Sequence, residues 1–433
     1  MFSNTAASLL ALMAAAAPAA ARSTFRLRVL VTACAFLPGI AAAGQFSAIY
    51  TFTGAADGGC PHGQLLRLAS GNLIATAQCG GNNYGAVVML LPPATVGGSW
   101  TNQVLTTFTF GAAGVIPQPS VVSDGKTGVY GTTYTGSANG VGALYHLAPK
   151  KPIVAGAPWV LTPIWSFGAA GDGTYPNGQL VRDKTGALYG TTAGGGSNGQ
   201  GTVFQVIPAT ATTAVQENIL WNFTGGVDGG VPEAGLTPDG AGGFYGRNAD
   251  GADFQRGIVF HLTPPATGQL AWKLVPIHEF DITNSEGGSP APLLLSGKTL
   301  YGTTYAAGTD DQGTVFQLTP PTGEGSLWPV KVIWNFTSGA DGRAPYGGVV
   351  KVGTTLFAAP AYGGGGTLSG NGALVGLQKT TGQKTWSATS IYGFSGPDGA
   401  SPEGALTAAP GGILYGTTDS GASGWGEIFL YEP

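Results

Sequence analysis

The sequence predicts an all-β fold, a seven-bladed β-propeller of four-stranded blades whose last blade is closed by the N-terminal strand. Three observations predict it. One unit of about 57 residues recurs seven times. Each unit holds four short runs of strand-like alternation bounded by turn residues. The chain enters the repeat on a run of the fourth type and leaves it after one of the third.

The repeat is marked by a bulky residue, one spacer and Phe. It reads Tyr50-Thr51-Phe52, Thr106-Thr107-Phe108, Trp165-Ser166-Phe167, Trp221-Asn222-Phe223, His278-Glu279-Phe280, Trp334-Asn335-Phe336 and Tyr392-Gly393-Phe394. Unit three shows all four runs: Gly178-Gln179-Leu180-Val181-Arg182, Leu188-Tyr189-Gly190-Thr191-Thr192, Gly201-Thr202-Val203-Phe204-Gln205-Val206 and Ile219-Leu220-Trp221-Asn222-Phe223. The fourth run often opens with a Trp eight residues before its Phe, as at Trp100, Trp159, Trp272, Trp328 and Trp386. That even offset predicts both rings on one strand face. An open β-solenoid, the alternative architecture, would repeat at roughly 20 to 30 residues. With the glycine-led run innermost, residues 45–53 must complete the blade that ends the chain, so Tyr50 to Phe52 should pair beside Ile428 to Leu430.

Composition agrees with many strands and tight turns. Of 433 residues, 75 are Gly and 29 Pro, whereas charged residues make up 9%. Disorder is excluded by a hydrophobic content of 43% and an aromatic content of 10%. Residues 1–43 stand apart: Arg22, Arg26 and Arg28 precede an apolar run over 29–40 and then Ala41-Ala42-Ala43. This reads as a signal peptide or an N-terminal anchor, with the propeller over 44–433 and a secreted or periplasmic location. No apolar run long enough to span a membrane follows Gly44. The net charge of −4 and the lack of a basic cluster argue against nucleic acid as partner.

Within the repeat, Tyr301-Gly302-Thr303-Thr304 followed by Gly313-Thr314-Val315-Phe316-Gln317-Leu318-Thr319-Pro320 resembles the GloVer tandem repeat, and the resemblance extends over residues 45–433. It implies an exported bacterial protein and no particular activity. Some copies depart from the pattern: Tyr245-Gly246-Arg247-Asn248 in unit four, Phe357-Ala358-Ala359-Pro360 in unit six and Asn72-Leu73-Ile74-Ala75-Thr76 in unit one.

Few residues suggest chemistry. Gly194, Gly196 and Gly199 fit a dinucleotide fingerprint only by chance, because no helix follows them. No cofactor is expected. Asp57, Asp172, Asp228, Asp341 and Asp398 each precede Gly between a fourth and a first run; one carboxylate per loop suits a self-capped turn better than calcium. The histidines lack ligand spacing, so no metal site is expected. Cys60 and Cys79 flank the first hairpin of unit one and are expected to form a disulfide.

A changing residue follows the loop proline of each unit: His62, Gln118, Asn177, Glu233, Ala291, Tyr346 and Glu403. In a propeller these positions ring the mouth of the central channel. Together with Arg247, which displaces a consensus Thr, the polar members form the expected ligand-binding set. The leading reading of function is a binding or scaffolding module for a neutral polar molecule such as a glycan, or for a surface protein. The alternatives are a carbohydrate-active enzyme (glycoside hydrolase or lyase) and a structural envelope protein without a small ligand. The best acid pair for an enzyme, Glu233 and Glu403, should lie about 20 Å apart with sheets spaced by roughly 10 Å. Glycosidase carboxylates need about 5 to 9.5 Å.

Overall fold

The computed structural model describes residues 44–433 apart from residues 96, 152–158, 250–255, 282–284, 323–326, 366–369, 381 and 383–384. The expected signal segment lies outside the described residues. Seven antiparallel sheets form a seven-bladed propeller. In blade one the chain runs outward through Leu66–Arg67, Leu73–Ala77, Ala86–Leu91 and Thr101–Thr107. Blades two and five divide the inner strand in two, as Val115–Pro117 with Val122–Ser123 and Gly288–Pro290 with Leu294–Ser296. Blade seven combines Thr407–Ala408, Leu414–Thr418 and Glu427–Glu432 with the N-terminal strand Gln45–Thr51. Tyr50 pairs with Ile428 and Ser47 with Leu430, so the two ends of the chain share one blade as expected.

Each blade presents a pleated apolar face to the next, and seven core clusters fill the seven junctions. The Phe ending a fourth strand packs on the third-strand aromatic of the following blade: Phe167 on Phe204, Phe223 on Phe260 and Phe280 on Phe316, with ring centroids 4.9, 5.4 and 5.0 Å apart. The Trp that opens the fourth strand turns the other way. Trp159 packs with blade-one residues around Val87 and Phe108, whereas Phe167 of the same strand packs with Leu188 and Phe204 of blade three. This corrects the expectation that both rings share a face. A β-bulge in every fourth strand inserts one residue, for example Leu105 between Val104 and Thr106, and reverses the alternation beyond it. The inserted residue is Ile or Leu in all seven blades, which keeps an apolar side chain at the irregularity.

The Tyr-Gly-Thr-Thr glycine has a steric reason. Gly190, Gly246, Gly302 and Gly416 pair with Phe204, Phe260, Phe316 and Phe429, whose rings occupy the space a Cβ would need. Where the partner is a smaller valine, alanine replaces glycine: Ala75 pairs with Val88 and Ala358 with Val375.

A second seven-fold device joins the blades. The residue before each loop proline (Cys60, Ile116, Tyr175, Val231, Ser289, Ala344 and Ser401) has φ between 49° and 60°. Its N–H donates to a carbonyl in the preceding blade, as Cys60 to Trp425 (2.9 Å) and Val231 to Gln200 (2.9 Å). The left-handed geometry costs about 1–2 kcal/mol per residue, and the regained inter-blade hydrogen bond offsets it. At the seam Gly426, with φ +87°, lies against Pro61 of blade one, where a Cβ would come within 2.6 Å of the ring. Cys60 and Cys79 form the expected disulfide, with Cα atoms 5.6 Å apart. Among the described residues no helix is long and apolar enough to cross a membrane.

Candidate functional site

The first strands converge on the axis through turns that read Pro-x-Gly in four blades and end in Pro119, Ala234 and Pro292 in the other three. Close approach explains the third residue: a Cβ on Gly404 would come within 2.8 Å of Gly63 O, and one on Gly347 within 2.5 Å of Gly404 O. With the backbones this close, the middle residue of each turn faces the channel or the neighbouring turn.

His62, Asn177, Glu233, Arg247 and Tyr346 line one central cavity of about 360 Å³, over a floor that includes Leu236, Leu294, Val350 and Leu406. Residues from four blades thus meet at one opening. Gln118 does not join them; it is 4% exposed and lies away from the cavity lining. Glu403 also stands off the lining, behind His62. Its Oε2 is 3.1 Å from His62 Nδ1, while His62 Nε2 is 3.0 Å from Asp419 Oδ1. Burial lowers the affinity of this imidazole for a proton, but Asp419 and Glu403 outweigh it and hold the pKa up at about 9. His62 is therefore an imidazolium at neutral pH. Because His62 belongs to blade one and both carboxylates to blade seven, the group also bridges the closing seam.

On the opposite arc, Arg247 Nη1 lies 3.7 Å from Glu233 Oε2. That is an ion pair beyond hydrogen-bond distance. Arg247 Nε is buried without an acceptor among the described residues. Burial pushes the guanidinium down to about 10, against the opposing charges of Glu233 and Tyr305. Glu233 and Glu403 thus each face a cation, not one another.

Beyond the lining itself, an aromatic group surrounds Tyr346. Tyr305 stacks on Tyr346 with centroids 5.2 Å apart, Tyr362 meets Tyr346 edge-on at 6.4 Å, and Arg343 lies 5.2 Å over the Tyr362 ring. Burial and then neighbouring Tyr362 and Glu403 raise the Tyr346 hydroxyl above its ordinary pKa. Asp419, Tyr305, Tyr362 and Arg343 escaped the sequence-based set. The first two immediately follow the paired threonines, at the start of the second-to-third connection; that position was the available signal.

The repeated aspartates serve the frame. Asp57 accepts from Tyr50 Oη and Thr53 N, both at 2.8 Å; Asp341 accepts from Trp334 Nε1 at 3.0 Å and Thr337 N at 3.1 Å. Each carboxylate caps its turn and ties it to the aromatic seven residues upstream, or six in the case of Asp398. In the irregular loop of unit four, Asn248 is buried and its Nδ2 donates to Asp228 O at 2.9 Å. Asp250 and Asp253, which follow Asn248 in the sequence, lie outside the described residues.

The sequence profile of the Gloeobacter/Verrucomicrobia repeat matches residues 39–247 and 212–429. No curated protein matches the chain. Among solved structures it is similar to the periplasmic gluconolactonase of Pseudomonas aeruginosa, at 15% identity over 82% of this chain and 93% of that one, with a TM-score of 0.48. The PQQ-bound aldose sugar dehydrogenase of Streptomyces coelicolor is 14% identical over 90% and 98%, with a TM-score of 0.44. The NanB sialidase of Streptococcus pneumoniae is 12% identical over 89% and 70%, with a TM-score of 0.41.

Proposed function

The chain belongs to the Gloeobacter/Verrucomicrobia repeat family, and we propose that it is an exported binding module that takes a hydroxyl-rich ligand, such as a glycan, at the mouth of its channel. One observation carries the reading: four blades contribute His62, Asn177, Glu233, Arg247 and Tyr346 to a single cavity, although the rest of the repeat keeps near-identical residues for blade docking. An amide, a carboxylate and phenols supply both donors and acceptors for hydroxyl groups, and the stacked Tyr305 and Tyr346 offer an aromatic surface for the apolar face of a sugar ring. The Cys60–Cys79 disulfide supports an oxidising compartment. A glycan array probed with the mature protein tests the proposal. Binding should be weakened at least tenfold by Tyr346→Ala and by Asn177→Ala, with the unfolding midpoint preserved; retained affinity in both variants would refute this placement.

At the channel mouth the enzyme reading has one observation in its favour, the convergence of Glu403 and Asp419 on His62. Glycoside hydrolysis needs one carboxyl held protonated as general acid. An imidazolium between the two favours the opposite state, with both ionised. The arrangement therefore fits a charged wall of a binding site and a seam contact better than an acid–base pair.

A further inference from the structure

The cation at the mouth points to a more specific ligand. Arg247 occupies the slot held in the other blades by Thr76, Thr132, Thr191, Thr303, Ala359 and Thr417. Three of those threonines serve blade docking: Thr191 Oγ1 donates to Ala234 O at 3.1 Å, Thr303 Oγ1 to Pro345 O at 2.8 Å and Thr417 Oγ1 to Gly63 O at 3.4 Å. Arg247 gives up that bond. In exchange the blade acquires a guanidinium whose side chain is 11% exposed and whose ion-pair partner among the described residues is Glu233, at 3.7 Å. A desolvated cation without hydrogen-bonded compensation is costly, and a neutral residue would serve the frame better. Glu233 itself is 48% exposed and free to swing into solvent.

We infer that the ligand bound at the channel mouth carries a carboxylate, as an acidic sugar unit does, and that Arg247 receives it while Glu233 gives way. The inference rests on the binding reading above and narrows its ligand class. Guanidinium and carboxylate match as a planar fork, which explains Arg in place of Lys. A single cation flanked by Glu233 suits one carboxylate and not a polyanion. Tyr305 begins the stacked pair that would hold the ring bearing the acid.

The test is a glycan array in which each uronate-bearing oligosaccharide stands beside its methyl-esterified form, with neutral glycans included, followed by titration calorimetry of the best binder. Acid should bind at least tenfold tighter than ester in 50 mM salt, and the margin should shrink in 500 mM salt. Arg247→Thr restores the residue of five of the other blades and should fold with an unfolding midpoint at or above that of the parent; it should erase the preference for acid. Arg247→Lys should retain part of it. Binding confined to neutral glycans, equal affinity for acid and ester, or a preference that survives Arg247→Thr would overturn the inference and leave the binding reading standing. Absence of binding to any glycan of either kind would overturn the binding reading itself, and the inference with it.

Discussion

Replacing Gly302 by alanine should destabilise the protein by about 1–2 kcal/mol, and the loss should be partly reversed by a second substitution, Phe316→Val. The added Cβ would lie 2.5 Å from Phe316 Cζ and 3.1 Å from Leu293 Cδ2. Overpacking of that kind costs about 1–3 kcal/mol. Alanine's lower backbone entropy in the unfolded chain returns about 0.5–1 kcal/mol. Phe316 is fully buried, so Phe316→Val alone should cost about 2–3 kcal/mol, somewhat less than a truncation to alanine. In the double variant the missing ring makes room for the new methyl. The expected coupling is about 1–2 kcal/mol in favour of the pair, because Ala358 with Val375 and Ala75 with Val88 already occupy this register. Urea unfolding followed by tryptophan fluorescence and by far-UV circular dichroism supplies the four free energies, with coincidence of the two probes as the check on two-state behaviour. Additivity within about 0.5 kcal/mol would refute the argument that ring size dictates the glycine.

Two further perturbations probe the frame. The Cys60–Cys79 bridge closes a loop with a sequence separation of 19, for which chain entropy gives about 3 kcal/mol; the Cys60→Ser/Cys79→Ser variant should lose that much in urea unfolding, and matching midpoints would rule the contribution out. Stability should fall as pH rises from 4.5 to about 9. The His62 imidazole is raised from 6.5 to about 9 by Asp419 and Glu403 despite the opposing effect of burial, so its contribution is complete below 6.5 and lost through about 9. The Glu217 carboxyl is raised from 4.5 to about 8 by burial and then by Asp172, so its share is complete below 4.5 and lost through about 8. His62→Gln and Glu217→Gln should each flatten the urea-midpoint profile, and an unchanged slope in both would dismiss the two groups as its source.

The fold was legible because closure demands the same answers seven times. A residue needed for blade docking must recur, as the loop prolines and the Phe of each fourth strand do, and recurrence can be read without coordinates. The bulge could not be read. It leaves spacing and composition unchanged and appears only in the pairing, where Val88 pairs with Val104 and Val87 with Thr106, skipping Leu105; the shared face predicted for Trp159 and Phe167 failed on the corresponding inserted residue, Ile164. Site legibility divides in the same way. The position after the loop proline identified His62, Asn177, Glu233 and Tyr346, since a fixed frame carries that slot to the axis. It also nominated Gln118, which the local turn buries instead. Asp419 was missed because its relation to His62 crosses a blade junction, and only its place after the paired threonines hints at it.

Departures from the repeat therefore deserve different weights according to whether the frame compensates them. His278 replaces the aromatic that elsewhere meets the loop aspartate, and Glu286 faces its Nε2 at 3.3 Å, so an altered pair takes over the old role. Asn248 replaces the second threonine and donates to Asp228 O, again a substitute bond within the blade. Arg247, its immediate neighbour, has no such substitute among the described residues: the docking bond made by Thr191 and Thr303 has no counterpart there, and Glu233 stands too far for a hydrogen bond. A frame under drift would leave neutral or compensated exchanges, as Ala359 and Ala358 do in blade six. A buried cation on the wall of the central cavity, with its carboxylate neighbour beyond hydrogen-bond distance, is the exchange that closure does not account for. Its cost to the free protein is what a bound carboxylate would remove.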